Sequence, residues 1–170
     1  MSQLSVVGTG VIGNGWISRA LANGWDVVAF DPAPDAEART RAFVENAWHA
    51  LEKDGLAEGA SVDRLRFAAT LEDAVVGADL IQENVPERLP LKQEILSAID
   101  AAAEEHVVIG SSTSGFKPTD LQQDCKKAPG RVIVAHPFNP VYLLPLVELV
   151  GGEHTSPALL EGAREDYQAL

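Results

Sequence analysis

Three glycines near the N-terminus restrict this chain more than any other feature. Gly8, Gly10 and Gly13 follow an apolar run, Leu4 to Val7. An amphipathic segment comes next, then a second apolar run, Val27 to Phe30, that ends in Asp31. G-x-G-x-x-G between strand and helix is the fingerprint of a dinucleotide-binding βαβ unit. Gly8 permits a tight turn off the strand. Gly10 lets backbone approach a pyrophosphate, and Gly13 lets the helix press on the sheet. Thr9, Val11 and Ile12 complete the turn, where free N–H groups and a partial positive charge favour phosphate. Asp31 stands 18 positions past Gly13, placed to accept hydrogen bonds from an adenosine ribose. A carboxylate there repels a 2′-phosphate, and Pro32 rather than an arginine follows it, so the expected cofactor is NAD, not NADP.

The remaining chain keeps alternating. Strands are predicted at 3–8, 25–31, 65–68, 79–83, 107–110, 131–135 and 146–150. Helices are predicted at 11–23, 36–53, 71–76, 119–123 and 157–170, with a further one flanked at its start by Pro86 and Pro90 and running to about 103. Asp35 reads as the N-cap of the second helix. This order implies an α/β fold of Rossmann type: a doubly wound, mostly parallel sheet with helices on both faces. Right-handed crossovers then gather Asp31, Glu83 to Glu87, Ser111 to Ser114 and His136 along one edge of the sheet.

The 170 residues suit one domain with a real core. The net charge of −12 argues against nucleic acid and anionic membrane as partners. It leaves a dinucleotide possible, because local N–H groups bind the pyrophosphate. No apolar run is long enough to span a bilayer, and no signal-peptide pattern opens the chain, so a cytoplasmic location is expected. The single cysteine, Cys125, can form no internal disulfide. No histidine or cysteine has ligand-like spacing, so no metal is expected.

His136 is the strongest candidate for chemistry. It ends an apolar strand, and Glu148 follows 12 residues later within Leu146-Val147-Glu148-Leu149-Val150. An acid between apolar neighbours is costly to bury unless paired. Pairing it with His136 solves that and makes a base, since the carboxylate fixes the imidazole tautomer. The alternative is a glutamate facing water from an edge strand and a structural histidine. Ser111 to Ser114 could hold a substrate hydroxyl or a nicotinamide ribose, or cap the next helix. No G-x-S-x-G elbow surrounds them, which disfavours a hydrolase. His49, His106 and His154 read as structural or solvated, and Cys125 as a plain thiol.

Taken together, Gly8-x-Gly10-x-x-Gly13 with Asp31, Glu83-Asn84-Val85-Pro86-Glu87 with Lys92, Ser111-Ser112-Thr113-Ser114, and His136-Pro137-Phe138-Asn139-Pro140 ahead of Glu148 resemble the 3-hydroxyacyl-CoA dehydrogenase superfamily. Within it, Gly13-Asn14-Gly15-Trp16 and residues 136–152 are most similar to the L-carnitine dehydrogenase branch. The resemblance implies an NAD-binding domain over residues 1–170. It implies His136 as general base with Glu148 as partner, and Ser114 and Asn139 near the reacting oxygen. Glu87, Lys92 and Ser114 would lie along the nicotinamide. Read from the residues alone, Glu87 and Lys92 would be a surface pair at a helix end.

In acyl-CoA members the helix after the second strand is basic. Here residues 35–54 carry a net of −2, which suits a small unphosphorylated substrate such as a carnitine-like 3-hydroxy acid. An L-gulonate-like acid, a hydroxyacyl-CoA, or a non-catalytic NAD-binding module are the alternatives. Trp16, Phe138 and Tyr142 could face a trimethylammonium group or fill the core. Superfamily members continue into a helical domain that completes the substrate pocket and a homodimer. That domain is expected to lie outside these 170 residues, leaving the substrate site incomplete in this stretch.

Overall fold

The computed structural model describes residues 2–170. The elements run β1 (Gln3–Val7), α1 (Val11–Ala22), β2 (Asp26–Phe30), α2 (Ala36–Asp54), β3 (Leu65–Phe67), α3 (Leu71–Val75), β4 (Leu80–Glu83), α4 (Leu89–Ala102), β5 (Val108–Ser111), α5 (Pro118–Gln122), β6 (Val132–Pro137), β7 (Val147–Val150) and α6 (Pro157–Ala169). The strands form one sheet in the order β3-β2-β1-β4-β5-β6-β7. All neighbours are parallel except β6 and β7.

Side-chain alternation along the strands sets the layers. Leu4, Val6, Val27, Leu80, Val108 and Ile133 form one core with Trp16, Ile17 and Leu21 of α1, Val44 of α2, and Ala163 and Tyr167 of α6. The alternate positions Val7, Val28, Ile81, Ile109 and Val132 pack on Leu71 and Val75 of α3, Leu96 and Ile99 of α4, and Leu121 of α5. Strands covered on both faces need apolar residues throughout, which explains their continuous Val/Ile/Leu runs. Each fully buried Leu or Ile contributes about 1.5–3 kcal/mol, so these runs fix the helices to the sheet.

Two local expectations change. β6 continues through His136 to Pro137, so His136 lies within a strand and not past its end. Its extra residues pair with β7, which the sequence places without revealing its direction. Asp35 precedes α2, but its side chain makes no cap hydrogen bond. It pairs with Arg39 at 3.2 Å instead. Among the described residues, no helix is long and apolar enough to cross a membrane.

Candidate functional site

The sheet order reverses between β1 and β4, and a cleft of about 600 Å³ opens beyond the C-terminal ends of β1, β2 and β4. Such a switch point is where ligands of open α/β sheets bind. Gly8 turns the chain with φ +88°, and a Cβ there would lie 2.9 Å from the Asn84 carbonyl. A Cβ at Gly13 would overlap the Gly8 carbonyl oxygen, so only glycine lets α1 start this close to β1. At Gly10 a Cβ would meet nothing within 4 Å. That glycine is not needed for packing; it leaves room on the cleft side. No side chain caps α1, so the N–H groups at Val11, Ile12 and Gly13 remain for an anion.

Asp31 lines the same cleft. Its Oδ2 accepts from Thr9 N at 2.9 Å and Thr9 Oγ1 at 3.1 Å, and its Oδ1 accepts from Ala33 N at 3.0 Å. A carboxylate has about four acceptor positions, so one stays for a ribose hydroxyl. Thr9 thus orients Asp31 in addition to shaping the turn. Asn84 and Arg88 line this cleft too. The glycine motif flags neither; the only signal for Arg88 is a lone basic residue just before a helix start.

The end of β4 departs from the apolar pattern. Gln82 and Glu83 are fully buried and, being consecutive, face opposite layers. Glu83 is matched by Lys92, whose Nζ lies 2.8 Å and 3.2 Å from its two oxygens. Lys92 also donates to the Val85 carbonyl at 2.9 Å. Ser111 Oγ donates to Glu83, and so does Val85 N. Lys92 is 1% exposed, so it is no surface partner of Glu87. It is a buried ammonium that also reaches the underside of Glu87 at 3.6 Å.

Glu87 ties down the segment after β5. Its Oε1 accepts from Thr113 Oγ1, from Ser114 N at 3.2 Å and from Gly115 N at 3.0 Å. Partial burial pushes its pKa up, but the Thr113 hydroxyl, the Gly115 N–H, Lys92 and the Ser114 N–H together hold it below the usual carboxylate value. The hydroxyl row therefore divides. Ser111, Ser112 and Thr113 are used internally, while Ser114 is exposed. Ser114 lines a second hollow with Phe116, His136 and Glu148.

His136 and Glu148 are direct cross-strand partners on β6 and β7. Nδ1 of His136 lies 2.9 Å from Oε2 of Glu148. The pair predicted from sequence is present, for a different reason. The Glu148 side chain is 60% exposed, because β7 is an edge strand, so burial cost does not force the pairing; register does. Phe138 sits 5.7 Å from the His136 ring and is exposed. Asn139 is exposed in the same bend. Trp16 is core: it is 2% exposed and packs against Tyr167, with ring centroids 5.6 Å apart and planes tilted by 57°. Tyr142 packs edge-on against Phe43. Burial pushes the Cys125 thiol up to about 12. Among the described residues, no cluster of His, Cys, Asp or Glu could hold a metal.

Residues 3–170 match the family described as 3-hydroxyacyl-CoA dehydrogenase, NAD binding domain. The chain belongs to that family. An L-carnitine dehydrogenase of Bacillus cereus is 60% identical over 170 residues, covering 100% of this chain and 52% of that protein. One from Pseudomonas putida is 57% identical over 170 residues, covering 100% and 53%. The chain thus spans about half the length of the curated relatives it matches. An (S)-3-hydroxybutyryl-CoA dehydrogenase of Ralstonia eutropha superposes with a TM-score of 0.88 at 29% identity, over 99% of this chain and 60% of that one. With the family shown, the cleft is a fit for NAD: an open Gly10, uncapped N–H groups and a spare lone pair on Asp31.

Proposed function

We propose that residues 1–170 form the cofactor domain of an NAD-dependent dehydrogenase that oxidises the 3-hydroxyl of L-carnitine to 3-dehydrocarnitine. The carrying observation is the His136–Glu148 pair at 2.9 Å, beside the free hydroxyl of Ser114 on the edge of the sheet that bears the glycine turn. NAD, when bound, supplies the hydride acceptor. Gly8 to Gly13 would hold its pyrophosphate and Asp31 its adenosine ribose, while Glu87 and Ser114 would border the nicotinamide end, with the buried Lys92 acting there through Glu87 at 3.6 Å.

Glu148 faces Nδ1 of His136, so it stabilises the tautomer with the proton on Nδ1. Nε2 is then bare and takes the proton of the substrate hydroxyl as the C–H bond is broken. Glu148 stabilises the resulting imidazolium. Ser114 and Asn139 donate to the reacting oxygen. Glu87 positions Ser114 by holding the backbone N–H groups of residues 114 and 115.

The choice of a small alcohol rests on the likeness to L-carnitine dehydrogenases and on α2. Arg39 and Arg41 are paired within that helix with Asp35 and Glu37, which leaves little free positive charge for the phosphates of CoA. The part of the relatives outside this match would close the pocket over His136 and complete a homodimer, in the cytoplasm. The test uses a full-length version with NAD and L-carnitine, L-gulonate or 3-hydroxybutyryl-CoA, followed by NADH absorbance. Turnover of L-carnitine, lost in His136→Asn, is expected. Turnover of one of the other alcohols in its place would overturn the substrate.

A further inference from the structure

A buried hydrogen-bond chain joins α6 to the floor of the cofactor cleft. Gln82 of β4 and Gly110 of β5 are register partners. A Cβ at Gly110 would overlap the Tyr167 hydroxyl. Glycine inside a strand marks a close approach of another group, and here it lets Tyr167 reach across β5 to β4. There the Tyr167 hydroxyl donates to Gln82 Oε1. Gln82 Nε2 donates to the Ala135 carbonyl at 3.2 Å, which fixes the amide orientation, and to Ser112 Oγ at 2.8 Å. Ser112 Oγ also accepts from Trp16 Nε1 at 3.1 Å. With two donors arriving, its own proton is directed to Asn84 Oδ1 at 2.7 Å. Asn84 Nδ2 in turn donates to the Gln82 carbonyl at 3.0 Å and meets the Val7 carbonyl at 3.5 Å. Asn84 lines the cleft, and its backbone carbonyl would lie 2.9 Å from a Cβ at Gly8. Each link has one direction, fixed by the Ala135 and Gln82 carbonyls and the Trp16 N–H, and the Tyr167 hydroxyl completes the chain as donor to Gln82 Oε1.

We propose that Tyr167 is a positioning residue for cofactor binding: through Gln82 and Ser112, α6 holds Asn84 in the orientation that keeps the Gly8 turn open to NAD. The inference rests on the cofactor assignment of that cleft and is independent of which alcohol is oxidised. The residues assigned to NAD all precede Gly115, yet cofactor affinity depends on Tyr167 in α6. Without the Tyr167 hydroxyl, Gln82 Oε1 is left buried without that donor, and the amide shifts from the position in which Nε2 meets both Ser112 and Ala135. Ser112 Oγ follows the amide, its bond to Asn84 Oδ1 weakens, and the Asn84 side chain can turn toward Gly13.

Tyr167→Phe tests this with little disturbance, because the ring and its tilted contact with Trp16 remain. Affinities for NAD and ADP-ribose are measured by calorimetry on the 170-residue chain. A loss of about five- to tenfold is expected for both ligands, the size of one hydrogen bond. Ser112→Ala should give a similar loss, and the double variant should be no weaker than the worse single one. The Trp16 indole N–H resonance, assigned by Trp16→Phe, should move in Tyr167→Phe because Ser112 is its acceptor. A purely structural Tyr167 would lower Tm while leaving the dissociation constants and the indole shift unchanged, and that result overturns the proposal. So do effects that multiply in the double variant. Should Tyr167→Phe fail to fold, parent-like affinity in Ser112→Ala overturns it alone. A parent chain that binds no NAD would overturn the cofactor assignment as well.

Discussion

Replacing Lys92 with methionine should remove a large part of this domain's stability. The Lys92 and Glu83 side chains are 2% and 0% exposed, and the ammonium is one of three donors to the Glu83 carboxylate. Methionine keeps most of the stem volume, so little cavity forms and the effect is electrostatic. Glu83 then stays in an apolar layer with Ser111 and Val85 N alone. Breaking a buried ion pair on one side costs about 3–5 kcal/mol. A domain has only about 5–15 kcal/mol in total, and about 2–4 °C of Tm accompanies each kcal/mol at this size. Tm should therefore fall by about 6–20 °C. Glu83→Gln with Lys92→Met removes both charges, leaves an acceptor for Ser111, and should cost at least about 2 kcal/mol less than the two single changes added together. Urea unfolding of the parent, both singles and the double, followed by tryptophan fluorescence without NAD, measures this. A Lys92→Met variant within about 1 kcal/mol of the parent, or strictly additive singles, would refute the reasoning.

Other outcomes follow from the same geometry. Gly10→Val should fold with nearly the parent Tm but lose NAD binding at least about tenfold, whereas Gly13→Ala should lose stability first, because its Cβ overlaps the Gly8 carbonyl; calorimetry and thermal melts separate the two. Asp31→Ala should narrow the preference of the parent for NAD over NADP, read from the two dissociation constants, and equal affinities in the parent would count against the role of Asp31. Burial would raise the Asp100 pKa, but the Lys127 and Ala128 N–H groups and Arg131 together hold it below the usual value. A depressed pKa gives stability that is present above the unfolded value of about 3.9 and is lost as pH falls through the folded one. Parent Tm should thus drop below about pH 4 more steeply than that of Asp100→Asn. Cys125, buried with its thiol pushed up to about 12, should react with a thiol reagent at pH 8 only as the chain unfolds.

Much of the cofactor region can be read from sequence because its constraints are local. Gly8, Gly10 and Gly13 act on backbone within a few residues, and their spacing states the turn. Lys92 shows the limit. Its burial depends on Glu83 emerging from β4 on the α4 side, which is a fact of strand parity and helix placement, so the sequence suggests a surface pair. Gln82 is similar: a glutamine in an apolar run gives no hint that Tyr167, 85 residues later, arrives over Gly110. The His136–Glu148 contact is predicted, but from a burial argument that does not apply at an edge strand. β7 is only four residues long, and four apolar or alternating residues say nothing about parallel or antiparallel pairing.

That single antiparallel joint has an evolutionary consequence. Imidazole and carboxylate meet because two ladder positions are opposite each other, and the ladder is indifferent to what connects its strands. Residues 138–146 can therefore lengthen, shorten or change composition without separating the pair, provided β6 and β7 keep their register. One scaffold can thus vary the surface around the imidazole and carboxylate while the pair itself stays where it is.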